Sequence, residues 1–236
     1  MQRGSLSRSA SIFLALMAYC VGVKLLLTLM PDVFRSPAQA AVFRWPFLLL
    51  WTVLGLAGVW LSSRTGFPAP GEGAMGDKRA FWIGTGLGLA LGLCAIVTDK
   101  WTGWTSFVAA RMGLPSIHIS FPASLLIYPG GAVIVEILYR LFPIPFLLFL
   151  LGPVLRREGR QEIAFWVLAL LLSLAEPIGD FGLRPLGAGV VAAVFLQDYA
   201  LNLSQAWLFR KAGFLSAIWL RVVFYLVWHV AWGRTA

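Results

Sequence analysis

The chain has 236 residues, of which 59% are hydrophobic and only 12% charged. Soluble domains carry about a quarter charged residues, so this composition excludes an ordinary soluble domain and points to a membrane. The net charge of +9 comes from basic residues scattered at the ends of apolar runs, which fits membrane topology rather than a nucleic-acid surface.

In chain order, seven apolar segments reach the roughly 20 residues a span requires: approximately 11–30, 43–62, 80–98, 123–151, 162–179, 186–209 and 213–233. Arg3 and Arg8 precede the first, and SPAQA (36–40) resembles a small-residue cleavage site. The run from Ile12 to Met30 is too long for a signal-peptide core and the site lies well past its end, so a first transmembrane helix is expected. Lys24 within it is expected to snorkel. Cys20 and Cys94 sit in apolar runs without a CxxC or a nearby His and read as small buried hydrophobes.

The connection 99–122 is weakly apolar and is expected to rest in the headgroup region, with His118 solvated. The fourth segment holds Pro129, Gly130, Gly131, Pro143 and Pro145, which predict a start near Gly130, a short interfacial piece before it and a kink near Pro143. With seven spans, Arg3, Arg8, Arg64, Lys78, Arg79, Arg156, Arg157, Arg160, Arg210 and Lys211 share one side, and Arg35, Arg44, Lys100, Arg111, Arg184 and Arg234 the other. That asymmetry predicts a protein integral to the cell membrane, with a cytoplasmic amino terminus and an external carboxyl terminus. Trp45, Trp60, Trp82, Trp101 and Trp104 fall near span ends, as interface anchors do.

Polar residues inside the last four spans recur at helical spacing: Glu136 and Arg140; Glu176 and Asp180; Asp198 and Asn202; Arg221, Tyr225 and His229. Residues four apart share a helix face, and lipid offers no hydrogen bonds, so these stripes are expected to meet in one buried cluster. Spans one to three then pack and anchor. The expected pairing is Arg221 with Glu136 and Glu176 with Arg140. Such a cluster either fixes helix packing alone or supplies a base, a water-holding partner and oxyanion donors, for example Glu136 as base with His229. No HExxH, GxSxG or Cys/His pairing occurs, so neither a metal nor a cofactor is expected.

VEILYR (135–140), LSLAEP (172–177) and WLFRKAGFLSAIWLRVVFY (207–225), in that order, resemble the CPBP intramembrane protease family, which includes type II CAAX prenyl proteases and bacteriocin-processing and self-immunity membrane proteins. The resemblance covers about residues 122–233. It implies a four-helix core carrying EExxxR, then FxxxH, then HxxxN or HxxxD. Glu136 and Arg140 match the second Glu and the Arg of the first motif, but Val135 stands where the family has the Glu credited with activating water. Leu172 and Glu176 replace the Phe and His of the second motif, and Arg221 and Tyr225 the His and Asn of the third. His229 lies two turns beyond the matching site.

The sequence thus predicts an all-α polytopic transmembrane bundle of about seven spans, with residues 1–121 as anchoring spans and loop and 122–236 as a CPBP-like core. The favoured function is that of a non-catalytic homologue with a buried charged network. One alternative is an active or re-wired intramembrane peptidase acting on a prenylated or bacteriocin-type substrate, with Glu176 as base and Tyr225 or His229 assisting. Another is a small-solute transporter or receptor-like helper. Whether the chain is an enzyme stays open at this point. The expected partners are the lipid bilayer and a membrane protein or peptide substrate, with no nucleic acid.

Overall fold

A computed structural model describes residues 3–33, 41–73, 75–153 and 159–234. SPAQA (36–40), Arg35, Arg156 and Arg157 lie outside the described residues, as does the side chain of Arg3. The described residues are helical, without strands: α1 Arg3–Leu29, α2 Trp45–Arg64, α3 Asp77–Thr102, α4 Trp104–Arg111, α5 Ser124–Glu136, α6 Pro143–Leu151, α7 Arg160–Leu172, α8 Ala188–Ala212 and α9 Phe214–Tyr225. A π-helical turn, Ile137–Leu141, joins α5 to α6, and a second, Leu226–Ala231, extends α9. A 3-10 segment, Pro177–Leu186, follows α7.

Six helices are long and apolar enough to cross a membrane: Gly4–Leu29, Trp45–Arg64, Asp77–Thr102, Ser124–Leu151, Arg160–Leu186 and Phe214–Arg234. The remaining expected span, the sixth at 186–209, falls on α8, a helix of 25 residues. Gln197, Asp198, Asn202 and Gln205 make it too polar to qualify by apolarity, because this helix carries the middle of the buried network.

Successive long helices alternate in direction. α8 turns at Gly213, whose φ of 87° suits a residue without a side chain, and α9 returns antiparallel to it. α3 runs parallel to α9 at very short range. Gly84, Gly88 and Gly92 recur every four residues on one face of α3, and a Cβ on Gly88 or Gly92 would collide with Val223 or Val227. Small residues at this spacing let two backbones approach closely in lipid, where packing replaces the hydrophobic effect as the driving force. Cys94 sits on the opposite face and is exposed, contrary to the expectation that it is buried; Cys20 is buried, with its Sγ 3.8 Å from the Gly130 carbonyl.

α5 begins at Ser124 rather than near Gly130, so the residues expected to form an interfacial piece are its first turns. Pro129 falls early in the helix, where its missing N–H costs one backbone bond. The bend expected near Pro143 appears as the π turn before it, in which Phe142 N donates to Ile137 O, five residues back, at 3.3 Å. One core contains Phe13 and Met17 of α1, Phe43 from the turn before α2 and Trp51 of α2, together with Val133, Ile137, Phe165, Phe209 and Ala217. Helices on both sides of residue 121 therefore share it.

Candidate functional site

The polar residues of α5, of the turn after α7, of α8 and of α9 meet inside the bundle. In α5 and the π turn, Glu136 and Arg140 are 0% and 1% exposed, and Arg140 Nε donates to Glu136 Oε2 at 2.6 Å. From the turn after α7, Glu176 receives a two-pronged bond from Arg221 on α9, at 2.9 Å to Oε1 and 2.7 Å to Oε2. The expected pairing is thus corrected: Glu136 holds Arg140, and Glu176 holds Arg221. The reason is local. Residues four apart on one helix reach each other without help, whereas a planar guanidinium meeting a carboxylate across helices favours the forked geometry found at Glu176.

Asn202 of α8 joins the two pairs. Its Oδ1 accepts from Arg140 Nη1 at 2.9 Å and from Arg221 Nη2 at 3.0 Å. Its Nδ2 donates to Glu176 Oε2 and to the Asp198 carbonyl, each at 2.9 Å. All four hydrogen-bonding positions of the amide are used, and the reverse orientation would set N–H groups against two cations. Arg221 also spends all five of its donors: Nε on Gln205 Oε1 at 2.8 Å, and a further Nη1 bond on Tyr225 Oη at 3.1 Å, beside those to Glu176 and Asn202. Gln205 is in turn fixed by donating to the Ala217 carbonyl at 3.1 Å. Two carboxylates and two guanidiniums balance, which is the condition for keeping ions at this depth.

Two atoms are left over. Glu136 Oε1 and Arg140 Nη2 are buried without a hydrogen-bond partner. The Glu176 side chain is 31% exposed and gives the network its one partly open member among those paired as ions.

Not every candidate joins. Asp198 contributes its backbone carbonyl, and its carboxylate accepts no hydrogen bond from the network's side chains. Asp180 lies on the 3-10 segment with Oδ2 buried and without a partner. His229 sits one turn beyond Tyr225, where it meets His118 with the two Nδ1 atoms 3.0 Å apart. His118 is therefore not solvated: it is 4% exposed, because the segment after α4 folds back over the end of the bundle. Sequence reasoning missed Gln205, His118 and Tyr128. Gln205, three residues after Asn202 on the same stripe, carried a readable signal; His118 carried none, since loop residues have no periodicity to place them.

The Glu176–Arg221 half of the network is fully paired. Both lone-pair-bearing oxygens of Glu176 face Arg221, and Val135 puts no acceptor beside Glu136. Among the described residues no group of three or more His, Cys, Asp and Glu is placed to hold a metal ion. Comparison with known proteins finds no matching family model, no matching curated protein and no matching solved structure.

Proposed function

We propose that this chain is an integral protein of the cell membrane with a non-catalytic, CPBP-like core, crossing the bilayer seven times with α8 as the sixth crossing. The charged network holds α5, α7, α8 and α9 in register. The observation that carries this reading is the saturation of Asn202 and Arg221, which together join Glu176 to both guanidiniums, while Arg140 in turn holds Glu136. A working hydrolase needs a base with a free lone pair and donors held in reserve for an oxyanion. Here every donor of Arg221 is consumed in the resting state, and the unpaired Glu136 Oε1 and Arg140 Nη2 are buried.

The orientation follows from charge. Arg8, Arg64, Lys78, Arg79, Arg160, Arg210 and Lys211 collect at the end where α1 starts, here called the near end, and the positive-inside rule assigns that end to the cytoplasm. The near end is tied by Arg210, which bonds Glu162 at 2.7 and 2.9 Å and the Gly66 carbonyl at 3.1 Å.

The test compares amount with activity. Glu136→Gln, Glu176→Gln and Arg221→Leu are expressed in membranes, and folded protein is quantified beside cleavage of a prenylated peptide. Loss of folded protein in all three, with no cleavage by the wild type, is the expected result. Cleavage by the wild type that vanishes in a variant of normal abundance would overturn the reading in favour of a re-wired peptidase.

A further inference from the structure

At the far end of the bundle, a second polar group lies outside the charged network. Residues 112–123 run from the end of α4 to the start of α5, and most of the segment is at least partly exposed. At its middle, His118 and Ile119 turn inward and are each 4% exposed. His118 Nδ1 stands 3.0 Å from His229 Nδ1 on the π turn after α9. Ile119 N donates to Tyr128 Oη at 3.0 Å, and His118 N to Ser116 Oγ at 3.0 Å.

The cage around the two imidazoles is aromatic. Tyr128 stacks on His229 with centroids 4.3 Å apart, Tyr225 meets His229 at 5.1 Å, and Trp228 meets the His118 edge at 5.2 Å. Gly233 packs against the His118 ring so closely that a Cβ there would clash.

A bond between two Nδ1 atoms needs one proton, on one ring and absent from the other. If both rings carry that proton, two N–H groups oppose each other inside an apolar cage. Among the described residues, the ionisable groups facing the pair are Asp99 from α3, Tyr128 from α5, and Tyr225 and Arg221 from α9. Arg221 disfavours a second positive charge. Asp99 favours one at His118, but its carboxylate is already held by Thr105 N at 3.1 Å, Thr105 Oγ1 at 2.7 Å and Trp232 Nε1 at 2.9 Å. It cannot turn toward an imidazolium without releasing them. His118 Nε2 is buried without a partner, so a second proton on that ring has no acceptor.

We propose that His118 and His229 form a proton-operated clasp, which holds residues 113–121 over the far end of the bundle at neutral pH and releases them on acidification. Burial pushes the His118 imidazole below its ordinary value, with Asp99 opposing in part. The closed segment therefore binds protons less readily than the open one. Closure is at full strength above the open-segment value of about 6.5 and weakens progressively as pH falls below it. The clasp is independent of whether the charged network is catalytic.

Hydrogen–deuterium exchange of the full-length protein in nanodiscs tests this, read at about pH 7.5 and about pH 5.5 and corrected for the chemical exchange rate. Peptides covering 113–121 are expected to lose protection about tenfold at the lower pH, while peptides covering 214–224 do not change. His118→Gln is expected to leave the segment equally unprotected at both values. Tyr128→Phe removes the Ile119 anchor but keeps both imidazoles, so it should retain the pH difference. Equal protection of 113–121 at the two pH values in the wild type, or loss of protection along the whole bundle together, overturns the proposal. So does a pH difference that survives in His118→Gln; should that variant not fold, the wild-type and Tyr128→Phe profiles decide.

Discussion

Asn202 is a small uncharged residue, yet it determines whether two ion pairs act as one unit. Its replacement by Leu leaves Arg140 with a single partner, Glu136, and takes one bond each from Arg221 and Glu176. The expected cost is about 3–5 kcal/mol, the range for an ion left poorly compensated at depth. Unfolding titrations of the purified protein in detergent check it, and a loss below about 0.5 kcal/mol would show that Asn202 only fills space. Glu176 and Arg221 offer a complementary test. Replacing either alone strands its partner, whereas Glu176→Leu with Arg221→Met removes both charges. The double variant should be more stable than the sum of the single losses predicts, by about 1–3 kcal/mol. At this scale the sequence was informative about identity but not about partnership. Spacing brought Glu136, Arg140, Glu176, Asn202 and Arg221 to inward faces, yet it could not say which oxygen each guanidinium meets, since that depends on the height and rotation of one helix against another.

Among the elements, α3 shows how a helix without charged residues in its middle can still be specific. Gly84, Gly88 and Gly92 face α9, while Gly86, two residues from Gly88, has nothing within 4 Å of where its Cβ would stand. Gly88→Leu should therefore destabilise the bundle by about 1–3 kcal/mol through overpacking. Gly86→Leu should stay within about 0.5 kcal/mol of the wild type. A difference in melting temperature between these two variants isolates the α3–α9 contact from any general effect of glycine in a helix. The π turn at Ile137–Leu141 is the other element decided by context. Pro143 and Pro145 made a disturbance predictable, but a proline cannot tell whether a helix bends, breaks or widens. Here the turn widens just where Arg140 must reach Asn202, so the backbone irregularity and the buried ion occupy the same turn.

Across the whole molecule, the two ends differ in what closes them: an Arg210–Glu162 bond at the near end and a pair of imidazoles at the far end. The orientation is checked with single cysteines in a Cys94→Ser background, which leaves only buried Cys20. Arg111→Cys should react with an impermeant thiol reagent in intact cells, and Lys211→Cys only after permeabilisation. The reverse pattern would invert the topology. By itself the sequence determined a helical membrane protein with one inward polar cluster, because hydropathy and a period near 3.6 are properties of single helices and survive without knowledge of the neighbours. Only the tertiary structure decided that Glu136 pairs with Arg140 and Glu176 with Arg221, that Asn202 bridges them, and that His118 leaves its loop to meet His229. Those choices are made between segments as far apart as residues 118 and 229, where contact is set by three-dimensional packing and not by spacing along the chain.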